Sequence, residues 1–229
     1  MSDGAGTAAE RERAERDERL SRRDFVARAA LLTAGLALLP SALERLALVD
    51  DALAAPADVV LETFNGLAAF VVPGRDPFSV AQGESTADPG GVEAFAGVAL
   101  VQGLDFAQWF QPTLSASVAT LLNHVATLVD PASASGTFAA PFANLSLAGK
   151  AAAFQILEGN PAFAPFRSLV GILPSFVGFL TYSEVGAFDP ATRSLVAIPL
   201  GWTLASYPGV ADGRDDFRGY FENRRRADA

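Results

Sequence analysis

The chain has 229 residues and a formal net charge of -9, with no cysteine, one histidine and 50% hydrophobic residues. This acidic charge argues against nucleic acid and against anionic membrane surfaces as partners, because both require clustered positive charge. A chain without cysteine has no disulfide to support its fold, and a single histidine excludes a metal site built from a cluster of histidine and cysteine ligands.

The N-terminal segment has the pattern of an export leader. A highly charged stretch is followed by the sequence SRRDFV, which resembles the twin-arginine export signal: Arg22 and Arg23 precede one variable residue and then two apolar residues, of which Phe25 is the first. Residues 29–40 are apolar but too few to span a bilayer, which requires about 20 residues. A charged region followed by a short apolar region is typical of a leader that is not part of the fold.

Two patterns of small residues offer cleavage sites for this leader. An Ala-Leu-Ala pattern ends at Ala54, and an Ala-Pro-Ala pattern runs from Ala55 to Ala57. We expect cleavage after Ala57, so that residues 1–57 form the leader and the protein becomes extracellular, periplasmic or attached to the cell surface. An uncleaved leader that anchors the protein in the membrane is the alternative.

Helical spacing of apolar residues dominates residues 58–182, which we expect to form one all-α domain of about five helices. The segment between the first two helices is rich in Gly, Pro, Ser and Asp and is predicted to be a loop. The last helix is apolar on every face and contains Pro174, so we expect a buried, kinked helix and no stable membrane span in the mature chain. The predicted helices cover residues 58–72, 92–110, 113–131, 145–159 and 166–182.

The C-terminal segment, residues 183–229, differs in composition from the helical domain. Large aromatic residues, Trp202 and Tyr207 among them, are separated by Gly, Pro and Asp. Disordered tails contain few aromatic residues, so we expect an ordered, irregular arm that packs either on the helical domain or on a partner. Pro208 and Gly209 favour a rigid turn that can present an aromatic residue outward.

The sequence contains few residues that could carry out catalysis. A Ser-His-Asp arrangement would have to use His124, yet no G-x-S-x-G motif occurs, and no glycine-rich phosphate-binding loop is present. We therefore predict no catalytic, cofactor-binding or metal-binding residues in this chain, and we expect His124 to lie at a surface or an interface. The residues expected to contact a partner are Trp202, Tyr207, Pro208, Gly209 and His124.

Two segments of the chain carry a family resemblance. The segments LETFNGLAAFVVPGRDP and PLGWTLASYPG, together with the leader, are similar to gluconate 2-dehydrogenase subunit 3 and to a related actinobacterial family of unknown function. The resemblance implies a non-catalytic small subunit that accompanies a large flavoprotein dehydrogenase of the glucose-methanol-choline type, whose FAD belongs to the partner. The twin-arginine translocase carries folded proteins, so one leader can export both chains after they have bound each other.

Two other classes of protein remain open as alternatives. The chain could be a stand-alone secreted helical enzyme that uses carboxylates and His124, or a solitary secreted binding or structural protein. A neighbouring flavoprotein gene without its own leader would favour the accessory subunit over both.

Export is predicted to depend on Arg22 and Arg23. Lysine carries the same charge but lacks the planar guanidinium, so it is not equivalent where a receptor reads the shape of the arginine pair. Replacement of both residues by lysine should leave the protein and any bound partner in the cytoplasm, as measured by cell fractionation. Normal export of the double variant would contradict the leader assignment.

Overall fold

The computed structural model describes residues 44, 47–106, 112–189 and 191–207. Within these ranges the fold is mostly helical, as the sequence predicts. The α-helices are α1 (Val49–Ala54), α2 (Ala57–Val71), α3 (Pro77–Ala81), α4 (Ala96–Asp105), α5 (Leu114–Val129), α6 (Leu147–Gly159), α7 (Arg167–Tyr182) and α8 (Leu200–Leu204). The same ranges contain the 3₁₀ helices η1 (Pro131–Ser135), η2 (Pro141–Asn144) and η3 (Pro161–Phe166), and an antiparallel pair of strands, β1 (Phe188–Asp189) and β2 (Ser194–Leu195).

The predicted helices appear with small shifts at their ends. Four of them, now α2, α5, α6 and α7, agree with the structure within two residues at each end. Helix α4 begins at Ala96 rather than at residue 92, because Phe95 has a φ of 59° and this left-handed conformation cannot be part of a helix. Thr113 and Ser146 cap α5 and α6, each accepting a hydrogen bond from a backbone N–H of the first turn.

The hydrophobic core lies around α2 and α5. Phe64 and Leu67 of α2 and Leu122 of α5 are completely buried, and α2 also contacts α4, α7 and η2. The contact with η2 depends on Gly66, where a Cβ atom would lie 2.9 Å from the Cα of Ala143. Only a glycine lets the two backbones approach so closely.

One partly buried polar side chain connects three of these elements. Asn123 of α5 donates a hydrogen bond from Nδ2 to Oγ1 of Thr63 in α2, at 2.9 Å, and its Oδ1 accepts one from the backbone N–H of Phe142 in η2, at 3.0 Å. Because both ends of the amide have partners, α2, α5 and η2 are fixed relative to one another.

The segment after α2, which the sequence predicts to be an unstructured loop, contains the short helix α3. Asp76 caps this helix by accepting hydrogen bonds from the backbone N–H groups of Phe78 and Ser79. The Ser79 hydroxyl donates to Asp76 Oδ2 at 2.6 Å and accepts from the backbone N–H of Gly74 at 2.9 Å. Both polar side chains are buried, so a satisfied polar network helps to hold the loop.

A buried lysine connects the same segment to α6. Lys150 is the single lysine of the chain, and it is completely buried. Its Nζ donates a hydrogen bond of 2.8 Å to Oε1 of Gln82, whose Nε2 donates one of 2.7 Å to the carbonyl of Ala69 in α2. Burial lowers the pKa of Lys150 from its ordinary value of 10.5 to about 7, although the negative charge of Asp76 acts in the opposite direction.

We predict that the stability of the protein rises between pH 7 and pH 9 because of Lys150. In this range the unfolded chain still binds the lysine proton, with a pKa near 10.5, while the folded chain has lost much of it at a pKa of about 7. The free energy of unfolding should therefore increase by about 2 kcal/mol over the two pH units, as measured by urea denaturation.

The variant Lys150→Met provides the control for this prediction. Methionine has a similar length and no titratable group, so the pH-dependent increase should disappear whatever the absolute stability of the variant. An equal slope in both proteins would show that another group is responsible.

Candidate functional site

Helix α7 exposes one of its faces, although the sequence predicts that all of them are buried. Val170, Leu173 and Val177 on the inner side are buried, whereas Phe176 and Phe179 are 46% and 69% exposed. The predicted burial of every face is therefore wrong: the inner face of α7 is core, and its outer face carries large apolar side chains without a covering element among the described residues.

The outer face of α7 is also free of charge. No charged residue occurs between Arg167 and Glu184. At Gly171 and Gly178 no atom lies within 4 Å of the position that a Cβ would occupy, so small residues leave open space beside the aromatic ones. The helical segment Pro161–Tyr182 is long and apolar enough to cross a membrane, but core helices of soluble proteins pass the same test.

The arm follows α7 directly, and its described part packs on the end of this helix. Pro199 and Gly201 are buried, and a Cβ at Gly201 would lie 2.6 Å from backbone atoms of Tyr182. Between α7 and this contact lies the β1–β2 turn, where the Asp189 carboxylate accepts hydrogen bonds from the backbone N–H of Ala191 and the hydroxyl of Thr192. These hydrogen bonds lower the pKa of Asp189.

The arm, like α7, exposes large apolar side chains. We use the term apolar surface for the exposed large apolar side chains of α7 and of the arm. Its most exposed members on the arm are Ile198, at 78%, and Val196, at 69%. The side chains of the apolar surface are Phe176, Phe179, Tyr182, Val185, Phe188, Leu195, Val196, Ile198 and Tyr207.

Trp202 and Tyr207, two of the residues expected to contact a partner, lie at the end of the described arm. Their rings are 5.1 Å apart in an edge-to-face arrangement, and the backbone N–H of Tyr207 donates a hydrogen bond of 2.7 Å to the carbonyl of Trp202. Tyr207 is 45% exposed and Trp202 is partly buried. The two aromatic residues thus pack on each other rather than deep in the core. Pro208 and Gly209 lie outside the described residues.

A cavity of about 300 Å³ lies between the arm and the helical domain. Arg75 and Glu93 line it together with arm residues such as Ile198. Oε2 of Glu93 accepts a hydrogen bond from the backbone N–H of Gly90, while Oε1 has no hydrogen-bond partner in the described part of the chain and lies 3.9 Å from Nε of Arg75. The side chain of Arg75 is largely exposed, so its guanidinium can donate hydrogen bonds to an acceptor group of another molecule. Such polar groups are typical of the rim of an interface.

His124 lies at a different cavity, of about 390 Å³, between α1, α2 and α5. Its imidazole is partly exposed, and its backbone carbonyl accepts a hydrogen bond from the Thr127 hydroxyl. No residue lines both cavities. The structure therefore does not bring His124 to the cavity beside the arm.

The remaining predicted residues concern export. Arg22, Arg23 and Phe25 lie outside the described residues. Ala55 precedes α2, in an extended conformation, and Ala57 is the first residue of that helix.

Comparisons with known proteins give no relatives. No family model, no curated protein and no solved structure matches this chain. Among the described residues there is no cluster of three or more histidine and acidic residues that could hold a metal ion.

The exposed outer face of α7 and the buried lysine are not among the features predicted from the sequence. The spacing of Phe176, Phe179 and Tyr182, three residues apart, places them on one side of a helix, and this signal was available in the sequence. The sequence does not show which of the two sides is buried, because both are uncharged. The burial of Lys150 has no comparable local signal.

We predict that Gly201→Ala detaches the arm from α7 without unfolding the helical domain. The new Cβ would lie 2.6 Å from the Tyr182 backbone, so α8 must move away. Hydrogen exchange of residues 200–207 should accelerate, while the melting temperature should change by less than about 3 °C because the core is untouched.

Gly103→Ala is the matched control, since no atom lies within 4 Å of a Cβ at this helical position. It should leave exchange in the arm unchanged and stabilise α4 by about 0.5–1 kcal/mol. Unchanged exchange of the arm in Gly201→Ala would contradict the described contact.

Proposed function

We propose that this chain is a non-catalytic small subunit that accompanies a large flavin-dependent dehydrogenase of the glucose-methanol-choline type and is exported with it, folded, by the twin-arginine pathway. The FAD belongs to the large subunit. The observation that carries the proposal is the apolar surface of α7 and the arm.

The apolar surface favours a protein–protein contact because exposed apolar side chains are unfavourable in water. Monomeric soluble proteins rarely leave large apolar patches in water, and patches rimmed by polar groups usually mark interaction sites. Phe179 and Ile198 expose 69% and 78% of their surface, while Arg75 and Glu93 lie beside the arm. Aromatic residues are enriched and charged residues depleted at the centres of such interfaces.

The charge distribution supports the same assignment. A chain of net charge -9 would repel another acidic protein at most of its surface. The outer face of α7 lacks charge over the whole stretch between Arg167 and Glu184, so a partner can approach it without facing buried like charges. This arrangement fits a protein partner better than an anionic membrane, which would attract a basic surface.

The proposed function is tested by co-expression with a leaderless flavoprotein of the glucose-methanol-choline type encoded in the same genome. The two chains should co-purify from the exported fraction with the absorption spectrum of a flavin. The small chain expressed alone should show no such spectrum. Phe176→Ser combined with Phe179→Ser should weaken co-purification at least about tenfold, since loss of one anchor residue at an interface typically costs about 2 kcal/mol.

Val80→Ser is the matched control, because Val80 is 61% exposed on α3, outside the apolar surface. It should co-purify normally.

The double variant Trp202→Ala and Tyr207→Ala then tests the end of the arm: loss of the partner with an unchanged melting temperature would place these residues in the interface. A flavoprotein that stays in the cytoplasm while the small chain is exported would contradict the proposal, and intrinsic turnover by the isolated chain would favour the stand-alone enzyme.

A further inference from the structure

Helix α1 is part of the folded domain, although it lies ahead of the expected leader cleavage site. Leu48, at its N-terminal end, is 5% exposed and Ala52 is 2% exposed, and both belong to the main hydrophobic core. Val49 and Ala55 are partly buried against the same core. The helix packs on α5, so it occupies the position of a core element rather than that of a detached linker.

Both candidate cleavage sites lie in this helix or directly after it, although Ala54 and Ala57 are themselves exposed. The first would require Ala52 and Ala54 to fit the protease, but both are in α1 and Ala52 is buried. The second ends at Ala57, the first residue of α2, and the carbonyl of Pro56 already accepts a hydrogen bond of 3.0 Å from the backbone N–H of Val60. Of these positions, only Ala55 and Pro56 are extended.

This conformation is unsuitable for a leader peptidase. Enzymes that recognise a peptide by its main chain bind it as an extended strand and place alternate side chains in pockets. Binding at the first site would require α1 to leave the core, and binding at the second would require the first turn of α2 to unwind. A protein exported in the folded state presents this packed segment, rather than an unfolded chain, to the peptidase.

We infer that the folded domain protects the peptide bonds after Ala54 and after Ala57, and that the mature protein retains α1 and begins before Leu48. This inference rests on the export part of the proposed function. It replaces the cleavage after Ala57 that the small-residue pattern predicts. The mature subunit then keeps Leu48 and Ala55 in the wall of the cavity that contains His124.

The intact mass of the exported full-length gene product tests the inference directly. A chain that begins before Leu48 supports it, and one that begins at Ala55 or Asp58 overturns it while leaving the proposed partner untouched. Pancreatic elastase, which cuts after small residues, provides a measurement that does not depend on export. In the purified full-length protein, cleavage after Ala54 and Ala57 should be at least about tenfold slower than in the urea-unfolded chain, because a packed segment must open before it is cut.

Two matched variants of α1 show whether its packing is the cause. Leu48→Asp removes the buried anchor, whereas Leu53→Asp changes a residue that is 55% exposed on the same helix. Elastase should cut Leu48→Asp after Ala54 or Ala57 at least about tenfold faster than the wild type, and Leu53→Asp at the wild-type rate. Cleavage after Ala153, which is completely buried in α6, reports global unfolding and must stay slow in both variants.

If Leu48→Asp is also cut after Ala153, the weaker change Leu48→Ala takes its place, with the same expectation. Equal and rapid cleavage after Ala57 in the wild type and both variants would overturn the inference. If the protein is not exported, the proposed function fails, and the elastase rates alone decide whether the fold protects these bonds.

Discussion

The packing of α2 against α5 is the interaction on which the rest of the structure depends. No disulfide can support this chain, so the burial of apolar side chains such as Phe64 and Leu122 has to supply most of the favourable free energy of folding. Around this pair, α4 and α7 contact α2, and α6 contacts α5. The close approach at Gly66 and the amide of Asn123 then fix η2 against both central helices.

The polar groups in the interior have a different role, because they hold the irregular segments. In the segment after α2, Asp76 and Ser79 form buried hydrogen bonds with each other, and Gln82 connects the segment to Lys150. Burying a lysine is costly, which is why its pKa falls to about 7. A segment fixed in this way holds Arg75 near Glu93, at the cavity beside the arm.

Helix α7 links the core to the surface on which the proposed function rests. Its inner residues complete the core. Its outer residues form the apolar surface together with the arm, which packs on Tyr182. At the other end of the chain, α1 shows the converse situation: a segment that the sequence assigns to a leader is packed into the domain through Leu48 and Ala52. In α7 the composition does not reveal which side is covered, because both sides are uncharged.

The sequence by itself determined the helical class and the positions of four of the long helices. These features depend on the spacing of neighbouring residues and on hydrogen bonds within one turn, which are local properties. The burial of Lys150, the exposure of Phe179 and the packing of α1 were decided only by the tertiary structure. Each depends on which distant element lies against the residue: Gln82 is 68 positions from Lys150 along the chain, and only the assembled helices bring the two together.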